Sequence, residues 1–197
     1  FTIAGTDRSV NLDNVVKAAF VPAKLPADME VGLYETAVFK TPAPTFPNGC
    51  HVCEVEIDPE TGGVKIVKYT VVDDVGKIIN PLTLKGQIHG GIVQGLGQVL
   101  MEDLKYDTET GQMLTGSFMD YAMPLAEDFC TFDINTSEIS TEKNPLGAKG
   151  GGEAGTVGAL PAGMNAILDA LVPLGITHLD LPATPEKVWQ AIKGVKA

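Results

Sequence analysis

The chain has 197 residues, enough for one domain or one large subdomain with a proper core. Lys and Arg total 14 against 25 Asp and Glu, a net charge of −11, which argues against a nucleic-acid phosphate surface as partner. No run of about 18 apolar residues is read, so no membrane span is expected; three cysteines, an odd number, argue against a disulfide framework and for the cytoplasm.

The chain opens on Phe1 with no leader pattern. Ser9 or Asn11 can cap a short helix whose apolar face is Leu12, Val15, Val16 and Ala19. Pro22 and Pro26 mark a loop, VGLYETAVF (31–39) reads as a strand, and the three prolines of 41–49 forbid regular structure. HVCEVEID and GVKIVKYTVVDDVG flank Pro59-Glu60-Thr61-Gly62, a hairpin pattern with glycine available for positive φ. A helix is predicted from about Leu82 to Leu104. Asp107 and Gly111 mark a second turn between strands, and TFDINTSEI (131–139) is a further strand. Another helix begins at Glu153 or Ala154 and runs to about Leu171. The last is signalled by Thr184 as N-cap, Pro185 at the first position, and Val188, Trp189, Ile192 and Val195 on one face. Strands and helices do not alternate as βαβ units, so the expected class is α+β: a mixed or antiparallel sheet with hairpins, packed against several helices.

Cys50-His51-Val52-Cys53 lacks the ligands of a zinc site and alternates as a strand, where residues three apart face opposite ways. The chemistry lies instead in two glycine clusters. In GQIHGGIVQGLGQVL (86–100) five glycines each cost about 1 kcal/mol relative to alanine in a helix. Two readings are open: tight helix packing, or a helix that lets a ligand approach its axis. Gln87 and Gln94, seven apart and read as buried, would need partners. The second cluster is Lys149-Gly150-Gly151-Gly152-Glu153 at the head of a helix. It formally fits G-x-G-x-x-G, but the polar, Pro145-broken segment before it is no Rossmann strand. Free N–H groups at a helix N-terminus favour an anion. Glu153 is either plain dipole stabilisation or a general base.

Asp74-Val75-Gly76-Lys77-Ile78-Ile79-Asn80-Pro81, then Gly86-Gln87-Ile88-His89-Gly90-Gly91 and Gln94-Gly95-Leu96-Gly97, then Asp120-Tyr121-Ala122-Met123-Pro124 and the run Gly147–Gly155, occur in that order. Together they resemble the large, molybdenum-binding subunit of the xanthine oxidase family, most of all its carbon monoxide dehydrogenase and aldehyde oxidoreductase branch. The resemblance covers essentially the whole chain and corresponds to the second half of the family's molybdenum-cofactor-binding region. It implies an excised domain or one chain of a split large subunit, with the remainder of that subunit as partner.

The resemblance also implies roles. Glu153 matches the family's base, which acts on a metal-bound hydroxyl that attacks an electron-poor carbon. Ala148, Lys149, Gly150, Gly151 and Gly152 match the loop lying against the cofactor, although the family carries a larger residue at Gly151. Gln87 matches a glutamine that contacts the pterin; Gln94 fits packing equally well. The implied cofactor is molybdopterin cytosine dinucleotide with molybdenum, held by its dithiolene, so no protein metal ligand is expected. Iron–sulfur and FAD partners, a small-molecule substrate (an aldehyde, CO or an N-heterocycle) and an oligomer are implied too. Alone, the chain is expected to bind little cofactor and to be inactive. The competing readings are a structural or assembly module and an independent nucleotide-binding protein.

Overall fold

The computed structural model describes residues 1–195; the Val195 side chain, assigned by the pattern to the last apolar face, lies outside that description. The chain forms two compact units, Phe1–Lys40 and Thr41 onward. In the first, α1 (Leu12–Ala19) is capped by Asn11, whose side chain accepts from Asn14 N–H at 2.9 Å. The strand expected at 31–39 does not form. Strand propensity measures fit to a paired, half-buried surface, and here Tyr34 and Val38 are 88% and 93% exposed with no strand beside them.

The second unit is built on the predicted hairpin. Strands β1 (Asn48–Ile57) and β2 (Val64–Asp74) pair antiparallel, and β3 (Phe132–Thr136) adds to β2 in parallel, in the order β1-β2-β3. Asp58 organises the turn: its carboxylate accepts from Glu60 N–H and from the Thr61 hydroxyl at 2.7 Å. Gly62 takes φ +74° and passes so close to helix α4 (Pro185–Val195) that a Cβ there would stand 2.0 Å from the Pro185 carbonyl. The register slips where Glu54 faces Lys68 but Val55 faces Ile66, leaving Val67 as an extra, unpaired residue. That bulge lets Ile66 and Tyr69, three apart, both face the core. Around 106–114 only the turn and a single bridge, Tyr106 to Met113, are present in place of two strands.

Two helices cover one face of the sheet. Helix α2 (Pro81–Leu100) starts at Asn80, whose Oδ1 accepts from Leu82 and Thr83 N–H. It stops four residues before the predicted end: Met101 leaves helical geometry, and both Met101 and Glu102 N–H converge on the Gly97 carbonyl. Helix α3 (Ala154–Leu171) buries the stripe Gly155, Ala159, Gly163, Ile167 and Leu171, an i, i+4 spacing that keeps one face on the core. Contrary to the expectation of no such segment, residues 154–174 have the length and apolarity to cross a membrane by composition alone. The architecture is α+β, as expected.

Backbones of α2 and α3 meet directly. A Cβ at Gly91 would lie 2.9 Å from Thr156 N, one at Gly155 2.6 Å from the Ile88 carbonyl, and one at Gly95 2.8 Å from Ala159 Cβ. For these glycines, tight packing is the reading that holds. This contact anchors the head of α3, where Glu153 stands.

Candidate cofactor and active site

The loop before α3 is anchored at one end and free at the other. Its first part is stitched to the segment after β2: Gly147 O accepts from Lys77 N–H at 2.9 Å, and Lys149 N–H donates to the Val75 carbonyl at 2.8 Å. Asn144 clamps Ala148 on both sides, donating to its carbonyl at 2.8 Å and accepting its N–H at 3.2 Å. The Lys149 ammonium meets Asp74, a 4% exposed carboxylate that also accepts from Gly76 and Ile139 N–H. Burial pushes the Asp74 pKa up, but the Lys149 ammonium and the two amides outweigh it and hold the carboxyl below its usual range.

From Gly150 to Glu153 the character changes. Among the described residues, no acceptor meets the four consecutive N–H groups of 150–153. Cβ positions built at Gly150 and Gly152 meet nothing within 4 Å, while Gly151 rests on Val75 and Leu84. Gln87 Nε2 donates to the Gly152 carbonyl at 2.6 Å and so orients the peptide leading into Glu153. Glu153 occupies the N-cap position of α3, yet its side chain makes no capping bond, and it is exposed. The carboxylate is therefore not engaged in capping its own helix.

Two clefts border the loop. One, about 480 Å³, has Glu153, Gly150 and Gly152 on one side and Asn48, His51 and Asp73 on the other. The second, about 300 Å³, is bordered by Gln87, Thr83, Asn80 and the Lys149–Gly151 edge of the loop. Gly86 and Gly90 also meet nothing within 4 Å. They share with Gln87 and Gln94 an open stripe of α2, so these two amides are exposed rather than buried as expected. Gln94 Oε1 accepts from the Thr156 hydroxyl, a packing role.

Each sequence-predicted site residue therefore lies in or beside one loop. The amides of Ala148 and Lys149 are committed within the chain, whereas Gly150, Gly151, Gly152 and Glu153 present theirs. Sequence reasoning passed over a buried polar cluster beneath the larger cleft. His51 Nδ1 is 2.7 Å from the Tyr69 hydroxyl, and His51 Nε2 is 3.3 Å from Asp73 Oδ1. The available signal was the alternation of HVCEVEID, which turns His51 inward. Neighbouring Cys50 is exposed; Cys53 packs on the core, where burial and then nearby Cys130 raise its thiol to about 11.

The loop suits a molybdenum cofactor of the pterin type. Unpaired backbone donors on bare glycine ahead of a helix N-terminus favour a bulky, anionic, acceptor-rich group, and the open Gly86–Gly90 stripe leaves room for it. Among the described residues no cluster of three His, Cys, Asp or Glu could hold a metal directly.

Comparison with known proteins agrees. Residues 1–130 match the molybdopterin cofactor-binding domain family. The chain is 43% identical to the nicotine 6-hydroxylase large subunit of Paenarthrobacter nicotinovorans over 98% of its own length, but spans only 24% of that subunit. CO dehydrogenase from Oligotropha carboxidovorans superposes with a TM-score of 0.86 at 30% identity, over 92% of this chain and 22% of that one. Quinoline 2-oxidoreductase from Pseudomonas putida 86 superposes with 0.85 at 35% identity, over 92% and 23%. The chain belongs to the molybdopterin cofactor-binding domain family and is related to the large, molybdenum-binding subunits of the xanthine oxidase family.

Proposed function

We propose that this segment is part of a molybdenum hydroxylase that inserts water-derived oxygen at a carbon of an N-heterocycle, an aldehyde or CO, with Glu153 as the base. The relative named for nicotine supports the N-heterocycle, at 43% identity against 35% for a CO dehydrogenase large chain.

One observation carries the reading: four unpaired amides at 150–153 lead straight into a carboxylate that its own helix leaves unused. When bound, the cofactor supplies the two-electron oxidation and lowers the pKa of water. The Gly150–Glu153 amides donate to it, and Gln87 orients the last peptide of the loop. Asp74, Lys149 and Asn144 hold the base of the loop still. Glu153 takes up a proton on a carboxylate oxygen as the water-derived oxygen attacks carbon. The larger cleft beside Glu153 is the space in which that carbon approaches.

The cytosine dinucleotide form of the cofactor, iron–sulfur and FAD partners and an oligomeric whole belong to the same proposal. Exposed apolar residues such as Val157, beside Glu153, support a covering surface from the remainder of a large subunit. The three cysteines are free thiols, which supports a reducing, cytoplasmic compartment.

Glu153→Gln in the assembled, loaded enzyme tests the base. Turnover should fall by about 10²- to 10⁴-fold with molybdenum content and folding intact. Full turnover would support a structural module instead.

A further inference from the structure

Gln87 orients the peptide that leads into Glu153, but among the described residues no bond holds the Glu153 carboxylate itself. Its side chain makes no bond to its helix, and the residues before it are glycines. Its place depends on where the first turns of α3 are seated. One support is the glycine contact with α2. The other is His51 of β1, whose ring fills the space a side chain at Gly158 would need: a Cβ there would stand 2.4 Å from His51 Cδ2 and 2.5 Å from Nε2. Gly158 lies five residues after Glu153.

The His51 ring is itself immobilised. Tyr69, fully buried, lies edge-on to it with ring centroids 5.8 Å apart. The Tyr69 hydroxyl can donate to Nδ1 and the Nε2–H to Asp73, both nitrogens being within reach at 2.7 and 3.3 Å. Burial, then Cys53 and Asp73, pushes the Tyr69 pKa up, so the phenol keeps its proton. Asp73 fits because residue 49 is glycine: a Cβ there would stand 2.1 Å from Asp73 Oδ1. Side-chain exposure of His51 and Asp73 is 5% and 2%, and among the described residues Asp73 Oδ2 has no hydrogen-bond partner. A polar chain this buried and incompletely paired is a poor way to stabilise a core. His51 and Asp73 line the same cleft as Glu153.

We propose that His51 is a positioning residue for Glu153: gripped by Tyr69 and Asp73, its ring props α3 at Gly158 and sets where the carboxylate at the helix head stands. This rests on the reading of Glu153 as the base. Misplacement of a reacting group by about 1 Å costs about 10²-fold in rate, so a prop five residues away has leverage.

The test uses the full large subunit, assembled and loaded, with KM, kcat and molybdenum content measured together. His51→Ala should lower kcat about 10- to 100-fold, leaving KM within about two-fold and the metal content unchanged. Gly158→Ala, which drives a methyl into the ring, should lose a similar amount. The double variant should recover most of that loss, because the methyl then occupies the space the ring vacated. Tyr69→Phe, which keeps the ring and loses the 2.7 Å bond, should show a smaller kcat loss and keeps the test open if His51→Ala does not fold. The proposal is overturned by wild-type kcat in His51→Ala or Tyr69→Phe, by a loss that tracks missing molybdenum, or by a double variant whose loss is the product of the two singles. Glu153→Gln is run alongside. If it alone abolishes turnover, only the prop is wrong; if it turns over normally, the base reading is wrong.

Discussion

Gln87 Nε2 and the Gly152 carbonyl oxygen lie 2.6 Å apart, so one side chain of α2 sets the peptide plane from which Glu153 departs. The bond is exposed and joins residues 65 apart. It links the open stripe of α2 to the head of α3, the two surfaces proposed to receive the cofactor. Replacing Gln87 with Leu removes the donor at similar bulk. Exposed hydrogen bonds contribute about 1 kcal/mol, so thermal stability should change little. Turnover should fall about 10-fold or more, because a glycine run has no other means of orienting that peptide. A variant with unchanged kcat would show that the loop holds its shape without Gln87.

The Asp74–Lys149 pair fixes the other end of the loop and has a defined pH signature. The Asp74 pKa is lowered on folding, so the unfolded chain binds more protons than the native one as pH falls. The stabilisation is therefore complete above the ordinary aspartate value of about 4 and is lost as pH drops through the lower, folded value. Asp74→Asn should be less stable than the parent at neutral pH, and the gap should close in acid. Melting curves across that range check it; a gap that stays constant down to the lowest pH would contradict the assignment.

Adjacent glycines of α2 should respond in opposite ways. A Cβ at Gly91 would stand 2.9 Å from Thr156 N, so Gly91→Ala forces α2 and α3 apart and should cost about 1–3 kcal/mol. A Cβ at Gly90 would meet nothing within 4 Å beyond its own helix backbone among the described residues. Gly90→Ala should therefore stabilise the helix by up to about 1 kcal/mol, yet reduce bound molybdenum, since its methyl enters the open stripe. Melting temperature and metal content of both variants provide the check. Gly90→Ala with full metal content would remove that stripe from the cofactor surface.

Where chemistry is local, the sequence was a sufficient guide. Thr184-Pro185 starts α4, Asn11 caps α1, and Gly62 turns the hairpin, each through residues within a few positions of one another. The segment 31–39 misled because its β-branched and aromatic residues need a partner strand that the chain does not supply. Gly90 and Gly91 look alike in sequence; only the seating of α3 separates a packing glycine from an open one. The His51–Asp73 pair was hidden for a related reason. It depends on Gly49 facing Asp73 across the sheet and on a bulge at Val67, both properties of register. The glycine loop and Glu153 were legible because three glycines before an acid at a helix head have few purely structural uses. That its amides are free from Gly150 onward, but tied at Ala148 and Lys149, required the fold.

The most direct measurement is a crystal structure of the loaded, assembled enzyme, read at residue 153. The carboxylate should lie within hydrogen-bond reach of the reacting oxygen, about 2.6–3.2 Å or through one water, with the 150–153 amides on the cofactor. A Glu153 side chain turned to bulk solvent, with the cofactor seated away from the glycine run, would contradict both the cradle and the base.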